Sequence, residues 1–125
     1  MIYELSQSFF FDAAHTLKRS IDAAGSARVH GHTYSAEVAV RGPADAQTGM
    51  VLDLGVLRLA IAQLRTGLDH QLLDELPGLG PPTLENLCRH VHQNLVRAGV
   101  PVCRVSIWRE GIGDRCDLRL PDPVP

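Results

Sequence analysis

The sequence has no excess of either charge. Twelve Lys and Arg stand against fourteen Asp and Glu, for a net charge of −2 and a pI near 6.3. A surface so balanced offers no general attraction to phosphate backbones or anionic lipid, so no nucleic acid and no membrane is expected as a partner. There is no uncharged apolar run approaching the roughly 18 residues that span a bilayer. The start, Met1-Ile2-Tyr3-Glu4, lacks the basic residues of a secretory signal, and the expected location is cytoplasmic. Cysteine is scarce too. Cys88, Cys103 and Cys116 are odd in number and form no CxxC pair, which argues against a disulfide framework and a zinc ribbon and leaves reduced thiols. What remains is ordinary globular material, 45% hydrophobic and 21% charged, which excludes disordered and collagen-like classes. The 125 residues and 13.6 kDa suit one domain, expected over 1–120, with a frayed tail at 121–125.

The hydrophobic pattern predicts the order β-β-α-α-β-β. From Ile2 to His15 apolar residues alternate in part, as in a strand with a bulge, and the adjacent Phe9, Phe10 and Phe11 suggest burial on both faces. Tyr34, Ala36, Val38 and Val40 share one face of a second strand that ends at Gly42-Pro43. The polar loop between these strands, Lys18 to Arg28, is long for a hairpin. Asp53 can cap a helix with the stripe Leu54, Leu57, Ile61, Leu64 and Leu68. Thr83 can cap another with Leu84, Leu87, Val91 and Leu95, which stops at Gly99 and Pro101; Cys88 lies beside that stripe and is expected to pack. Two strands follow, with Cys103, Val105 and Ile107 on one face of the first and Cys116, Leu118 and Leu120 on one face of the second. Paired strands around consecutive helices imply an α+β fold, an antiparallel four-stranded sheet with both helices on one face. Its two open edges invite pairing with further copies of the chain.

Histidines carry most of the chemical signal. In His30-Gly31-His32 residues two apart on extended backbone project to one side, so both imidazoles can face one metal ion, and the glycine allows close backbone approach. In His90-x-His92, on a helix, the same spacing turns the side chains about 200° apart, which assigns that pair to the helix surface. If the first two strands form a hairpin, His15 lies close to His30 at its loop end, a possible third ligand. Three neutral imidazoles with an open fourth position make a catalytic zinc site. Asp69-His70 reads either as a proton-transfer dyad or as a helix C-terminal histidine favoured by the helix dipole. Glu110, past the strand end at Arg109, can bind a guanidine-like edge of a heterocycle or simply be solvated.

Together these blocks resemble a known family. Phe11-Asp12-Ala13-Ala14-His15, His30-Gly31-His32-Thr33-Tyr34, Gly49-Met50-Val51-Leu52-Asp53-Leu54, Leu68-Asp69-His70, Pro82-Thr83-Leu84-Glu85-Asn86 and Glu110 occur in the order seen in the 6-pyruvoyl-tetrahydropterin synthase and 6-carboxytetrahydropterin synthase (QueD-like) family. The resemblance implies the tunnelling fold, in which such units assemble into a barrel of subunits, a hexamer built as a dimer of trimers. It implies His15, His30 and His32 as ligands of Zn2+, Asp69 and His70 as the proton relay, and Glu110 as catalytic and as the anchor of the pterin's amino-pyrimidine edge. It also implies Thr83 as a substrate-binding residue. The implied substrate is 7,8-dihydroneopterin triphosphate, and the bacterial branch makes 6-carboxytetrahydropterin for queuosine and 7-deazaguanine synthesis.

One position departs from the family pattern. A cysteine four residues before the first histidine of HxH usually serves as base, and here that residue is Ser26. A thiol of pKa near 8.5 can be tuned to act near neutral pH, whereas a serine hydroxyl needs another base beside it. Three explanations follow: His70 acts directly, Cys116 substitutes, or the reaction is a related one such as aldolase-like cleavage of a dihydropterin side chain. The pattern is also compatible with a 6-pyruvoyl-tetrahydropterin synthase activity and with a non-catalytic zinc-dependent pterin-binding protein. Asp69-His70 argues against the binder, which needs no relay.

Overall fold

The computed structural model describes residues 1–17 and 19–121. Two long strands dominate it: β1 (Tyr3–His15) and β2 (His30–Gly42) pair antiparallel in one unbroken register from Tyr3↔Gly42 to His15↔His30. The bulge expected in β1 is absent from this ladder. On β1 the odd-numbered residues face inward, ending in buried Phe11, Ala13 and His15, and on β2 the inward set is Tyr34, Ala36, Val38 and Val40. Phe10 therefore points away from the core and is 54% exposed, with the Arg65 guanidinium stacked over its ring, so the three phenylalanines are not buried on both faces. Strict alternation wins over the local run of aromatics.

The segment between β1 and β2 holds a one-turn helix, α1 (Ala23–Ala27), where a loop is expected. Two longer helices follow the pattern read from the sequence. In α2 (Leu54–Thr66) the Asp53 carboxylate accepts the Gly55 N–H at 2.8 Å, and Leu57, Ile61 and Leu64 are buried. In α3 (Leu84–Arg97) the Thr83 hydroxyl accepts the Asn86 N–H at 3.2 Å, and Leu87, Cys88, Val91 and Leu95 are buried. Gly99, at φ 89°, ends α3 in the left-handed conformation while the Val100 N–H returns to the Leu95 carbonyl. Both helices share one core with the inward faces of the strands.

The sheet has five strands in the order β3-β1-β2-β4-β5. The additional strand, β3 (Gln71–Leu72), lies parallel to β1 at Ala13 and Ala14 and uses backbone groups of its outer edge. Two residues are too short for any periodic signal. β4 (Val102–Arg109) and β5 (Asp114–Arg119) are antiparallel neighbours, as expected. The β2–β4 register shifts at Ala39/Val40, which leaves Cys103 as the extra residue and puts Val102, not Cys103, in the core with Val105 and Ile107. His90 and His92 are half-buried rather than on the helix surface. Of the expected frayed tail, residues 122–125 lie outside the described part of the chain.

Candidate metal centre

The β1–β2 register places His15 opposite His30, with His32 two residues further on, all on the helix-covered face. His15 Nε2 lies 2.9 Å from His30 Nε2 and 3.1 Å from His32 Nε2, and the three ligand atoms fall within 4.8 Å of one another. Tetrahedral zinc with Zn–N of about 2.0–2.1 Å needs N···N separations of about 3.4 Å, so small ring movements suffice. The outer nitrogens settle the tautomers. His15 Nδ1 is 3.0 Å from the Pro82 carbonyl and His30 Nδ1 is 2.8 Å from the Arg28 carbonyl. A carbonyl can only accept, so both Nδ1 atoms carry the proton, and in the neutral rings both Nε2 atoms are bare. Two bare lone pairs facing each other at 2.9 Å repel unless a cation lies between them. This donor set fits a zinc ion.

Burial favours the neutral forms of His15 and His32. It is the main cause that lowers His15 from its ordinary value, and it lowers His32 to about 4, helped by the Arg109 charge. Gly31 is not needed for close approach: a Cβ there would meet only the Ala13 carbonyl, at an ordinary 3.8 Å. Two adjoining cavities of about 260 Å³ each open beside the triad and share His15, Leu17, Arg19, Arg109 and Asp114. Ser26 lines one and Thr83 the other. Ser26 is 5% exposed, its hydroxyl donating to the Ala23 carbonyl at 3.1 Å and accepting the Arg19 N–H at 3.3 Å.

Asp69 and His70 stand elsewhere. The Asp69 carboxylate accepts the Asp12 N–H at 2.9 Å, and the His70 N–H donates to the Asp12 carbonyl at 2.6 Å, which clamps the pair onto the outer edge of β1. His70 takes φ 60°, a left-handed conformation uncommon for any residue but glycine. Its Nδ1 lies 2.8 Å from Asp69 Oδ2, while its side chain is 79% exposed. The Asp12 N–H bond first, and then His70, hold the Asp69 carboxyl below its ordinary value. Glu110 is exposed, its carboxylate accepting the Trp108 indole N–H at 3.4 Å, on the side of β4 away from the helices. Among the described residues one chain thus gathers His15, His30, His32 and Thr83, but neither His70 nor Glu110 joins them.

Cys116 is not a stand-in for the missing thiol. It pairs with Ile107, which pairs with Ala36. Ala36 is four residues along β2 from His32, or about 13 Å at strand rise. Cys116 lies beside Cys88, whose thiol donates to the Cys116 carbonyl at 3.5 Å in the core.

Two residues at the site carry no motif in the sequence. Arg109 Nη1 lies 3.5 Å from His32 Nε2, and Nη2 is paired with Asp114. Tyr34 is 1% exposed, with its hydroxyl unpartnered and its ring 5.7 Å from that of His32. Burial pushes the Tyr34 phenol up to about 12 against the pull of Arg109. Strand alternation held the available signal: Val105 and Ile107 face the core, so Arg109 does too, and Tyr34 shares a face with His32.

Comparisons with known proteins agree with this architecture. A sequence model of the 6-pyruvoyl tetrahydropterin synthase family matches residues 4–119. The 6-carboxy-5,6,7,8-tetrahydropterin synthase of Synechocystis sp. is 34% identical over 100 residues, covering 76% of both chains. The dihydroneopterin monophosphate aldolase of Pyrococcus furiosus is 31% identical over 101 residues, covering 78% of this chain and 82% of that one. The structure of Caenorhabditis elegans 6-pyruvoyl tetrahydropterin synthase superposes with a TM-score of 0.84 at 22% identity, covering 97% of each chain. That likeness bears out the expected α+β tunnelling fold.

Proposed function

The chain belongs to the 6-pyruvoyl tetrahydropterin synthase family, a family of lyases, and we propose that it acts on 7,8-dihydroneopterin triphosphate as a zinc-dependent, 6-carboxytetrahydropterin synthase-like enzyme of the queuosine precursor pathway. The observation that carries this reading is the pair of bare imidazole nitrogens held 2.9 Å apart by carbonyls on their far sides, with His32 completing the set. Zinc bound by His15, His30 and His32 would acidify the hydroxyls of the substrate side chain.

The remaining chemistry belongs to the chain. Asp69 accepts the Nδ1 proton of His70, which leaves Nε2 bare to take a proton from the substrate side chain and return it. Glu110 binds the amino-pyrimidine edge of the pterin, and Thr83 contacts substrate from the cavity wall. Because His70 and Glu110 lie outside the triad's cavity in one chain, a working site needs more than one copy. We assign a homo-oligomer, a hexamer built as a dimer of trimers, with β1 and β5 as the joining edges.

Ser26 favours a second reading. Among the described residues its hydroxyl is engaged with the Ala23 carbonyl and the Arg19 N–H and is bonded to no base, so the step that needs a thiolate is weakened, while cleavage of the side chain by an aldolase-like route needs only the metal and the relay. Incubating the zinc-loaded protein with 7,8-dihydroneopterin triphosphate and following products by mass spectrometry separates the readings. 6-Carboxytetrahydropterin is the expected product. A 6-hydroxymethyl-dihydropterin released together with a two-carbon aldehyde that carries the phosphate would support the aldolase reading, and bound but unchanged substrate would mark a non-catalytic binder.

A further inference from the structure

Arg109 ends β4 on the helix-facing side, and its side chain is only 16% exposed. Asp114, across the β4–β5 turn, fixes Nη2, while Nε is buried without a partner and Nη1 faces His32 Nε2 at 3.5 Å. That nitrogen is the one a metal would take. With the lone pair given to a cation, Nη1 loses its acceptor and stands as a positive donor beside another positive charge. Three neutral imidazoles offset nothing, the carboxylate of Asp114 offsets at most Arg109 itself, and Asp74 is the further carboxylate whose charge reaches His15. Arg19 lines both cavities as well, with Asp22 and Glu85 each on one of them. The Tyr34 hydroxyl, 1% exposed, makes no well-formed hydrogen bond and lies on the same wall as Arg109 and His15, with Arg109 the charged group that acts on it.

We infer that Arg109 and Tyr34 form a recognition site for an anionic oxygen of the substrate, carboxylate or phosphate, seated against the open side of the histidine triad. The inference rests on the zinc reading above and adds the charge class of the group that approaches the metal. A guanidinium whose Nη2 is held by Asp114 still presents Nη1, on its other side, as one charge-assisted donor beside the triad, which a carboxylate or phosphate oxygen can accept. An ion pair serving only the β4–β5 turn would leave Nη1, which points at the triad, and the buried Tyr34 hydroxyl without a use.

Anion and metal bound side by side must be linked reciprocally. Zinc affinity of the full chain is measured by competition with a chromophoric chelator at fixed ionic strength, with formate or methyl phosphate as the probe. One of the two anions is expected to tighten zinc binding by about tenfold, within the usual range of such couplings. Which one does so identifies the group. Arg109→Gln should bind zinc at least as tightly as the parent without anion and lose the linkage. Tyr34→Phe, which removes only an unpartnered hydroxyl and keeps the packing, should weaken the linkage, so the comparison survives if Arg109→Gln does not fold. Zinc binding indifferent to both anions, or an equal response in both variants, overturns the assignment. Zinc affinity unchanged in His30→Ala would refute the triad itself, and this inference with it.

Discussion

Removing one imidazole should abolish both metal binding and the stability that metal confers. The Pro82 and Arg28 carbonyls hold the bare Nε2 atoms of His15 and His30 at 2.9 Å, so the metal-free protein carries a repulsion that a cation converts into attraction. At a free zinc concentration about one hundred times its dissociation constant, binding stabilises the folded state by about 2.7 kcal/mol. The unfolding entropy of 125 residues at about 2.1 cal/mol/K each is roughly 0.26 kcal/mol/K, so Tm should rise by about 10 °C. In His30→Ala the facing lone pair is gone. Its metal-free Tm should equal or exceed that of the parent, and zinc should no longer raise it. Scanning calorimetry at one fixed protein concentration, with and without zinc, reads the shift, and elemental analysis reads the content, expected at about one zinc per parent chain and near none in the variant. Zinc retained by His30→Ala, or a parent Tm that saturating zinc does not move, would refute the ligand set.

Two further outcomes test the groups around the triad. Asp69→Asn keeps an oxygen for the Asp12 N–H but loses the charge that orients His70, so turnover should fall by about 10² to 10⁴ with zinc content unchanged. Loss of zinc in that variant would mean the dyad serves the fold instead. The metal-free protein should also weaken in mild acid. Unfolded His32 takes a proton near 6.5 whereas burial delays folded His32 to about 4, and His15 is shifted in the same direction. The unfolded state therefore binds more protons across that window, and stability, full above about pH 6.5, falls as pH drops towards about 4. Urea midpoints between about pH 7 and 4 should decline, and a flat profile would contradict the burial of these rings.

Long periodic elements were legible in the sequence because their signal repeats. The stripe from Leu57 to Leu64 and the caps Asp53 and Thr83 each place several residues on one line, and tertiary contacts only confirm them. The triad was legible for a related reason: a two-residue spacing on a strand and a hairpin partner are consequences of backbone geometry alone. What was not legible depended on contacts distant in sequence. β3 exists because the chain after α2 meets the outer edge of β1, and α1 because the Ser26 hydroxyl and backbone close a turn on Ala23 and Asp22. Cys103 leaves the core through a register shift against β2 that no alternation in β4 announces. Arg109 is the instructive case. Alternation from Ile107 put it inward, yet a charged residue at a strand end is ordinarily solvated, and only the Asp114 carboxylate and the His32 ring beside it make the inward position tenable.

The separation of these groups within one chain follows from the sheet itself. The triad lies on the helix-covered face at the β1–β2 loop end, Asp69 and His70 on the outer edge of β1, and the Glu110 turn at the β4 end. No rotamer change moves a side chain between the faces of a pleated strand. β3 takes the outer edge of β1 at Ala13 and Ala14 and the Asp69-His70 pair takes it at Asp12, which leaves the stretch from Tyr3 to Phe11 for the joint of the proposed ring. β1 runs towards the triad end and β5 runs away from it, so a cyclic assembly that pairs β5 of one copy with the outer edge of β1 in the next joins them antiparallel. That pairing sets the start of β5, next to the turn from Glu110 to Gly113, beside the end of β1 that clamps His70. In that arrangement the relay of one copy would face the β4–β5 turn of its neighbour, with Arg109 on the inner side of that turn and Glu110 on the outer. In the proposed ring the 79% exposure of the His70 imidazole is a feature of the isolated chain, and its left-handed backbone is held ready by Asp12 for a partner it meets only across the joint.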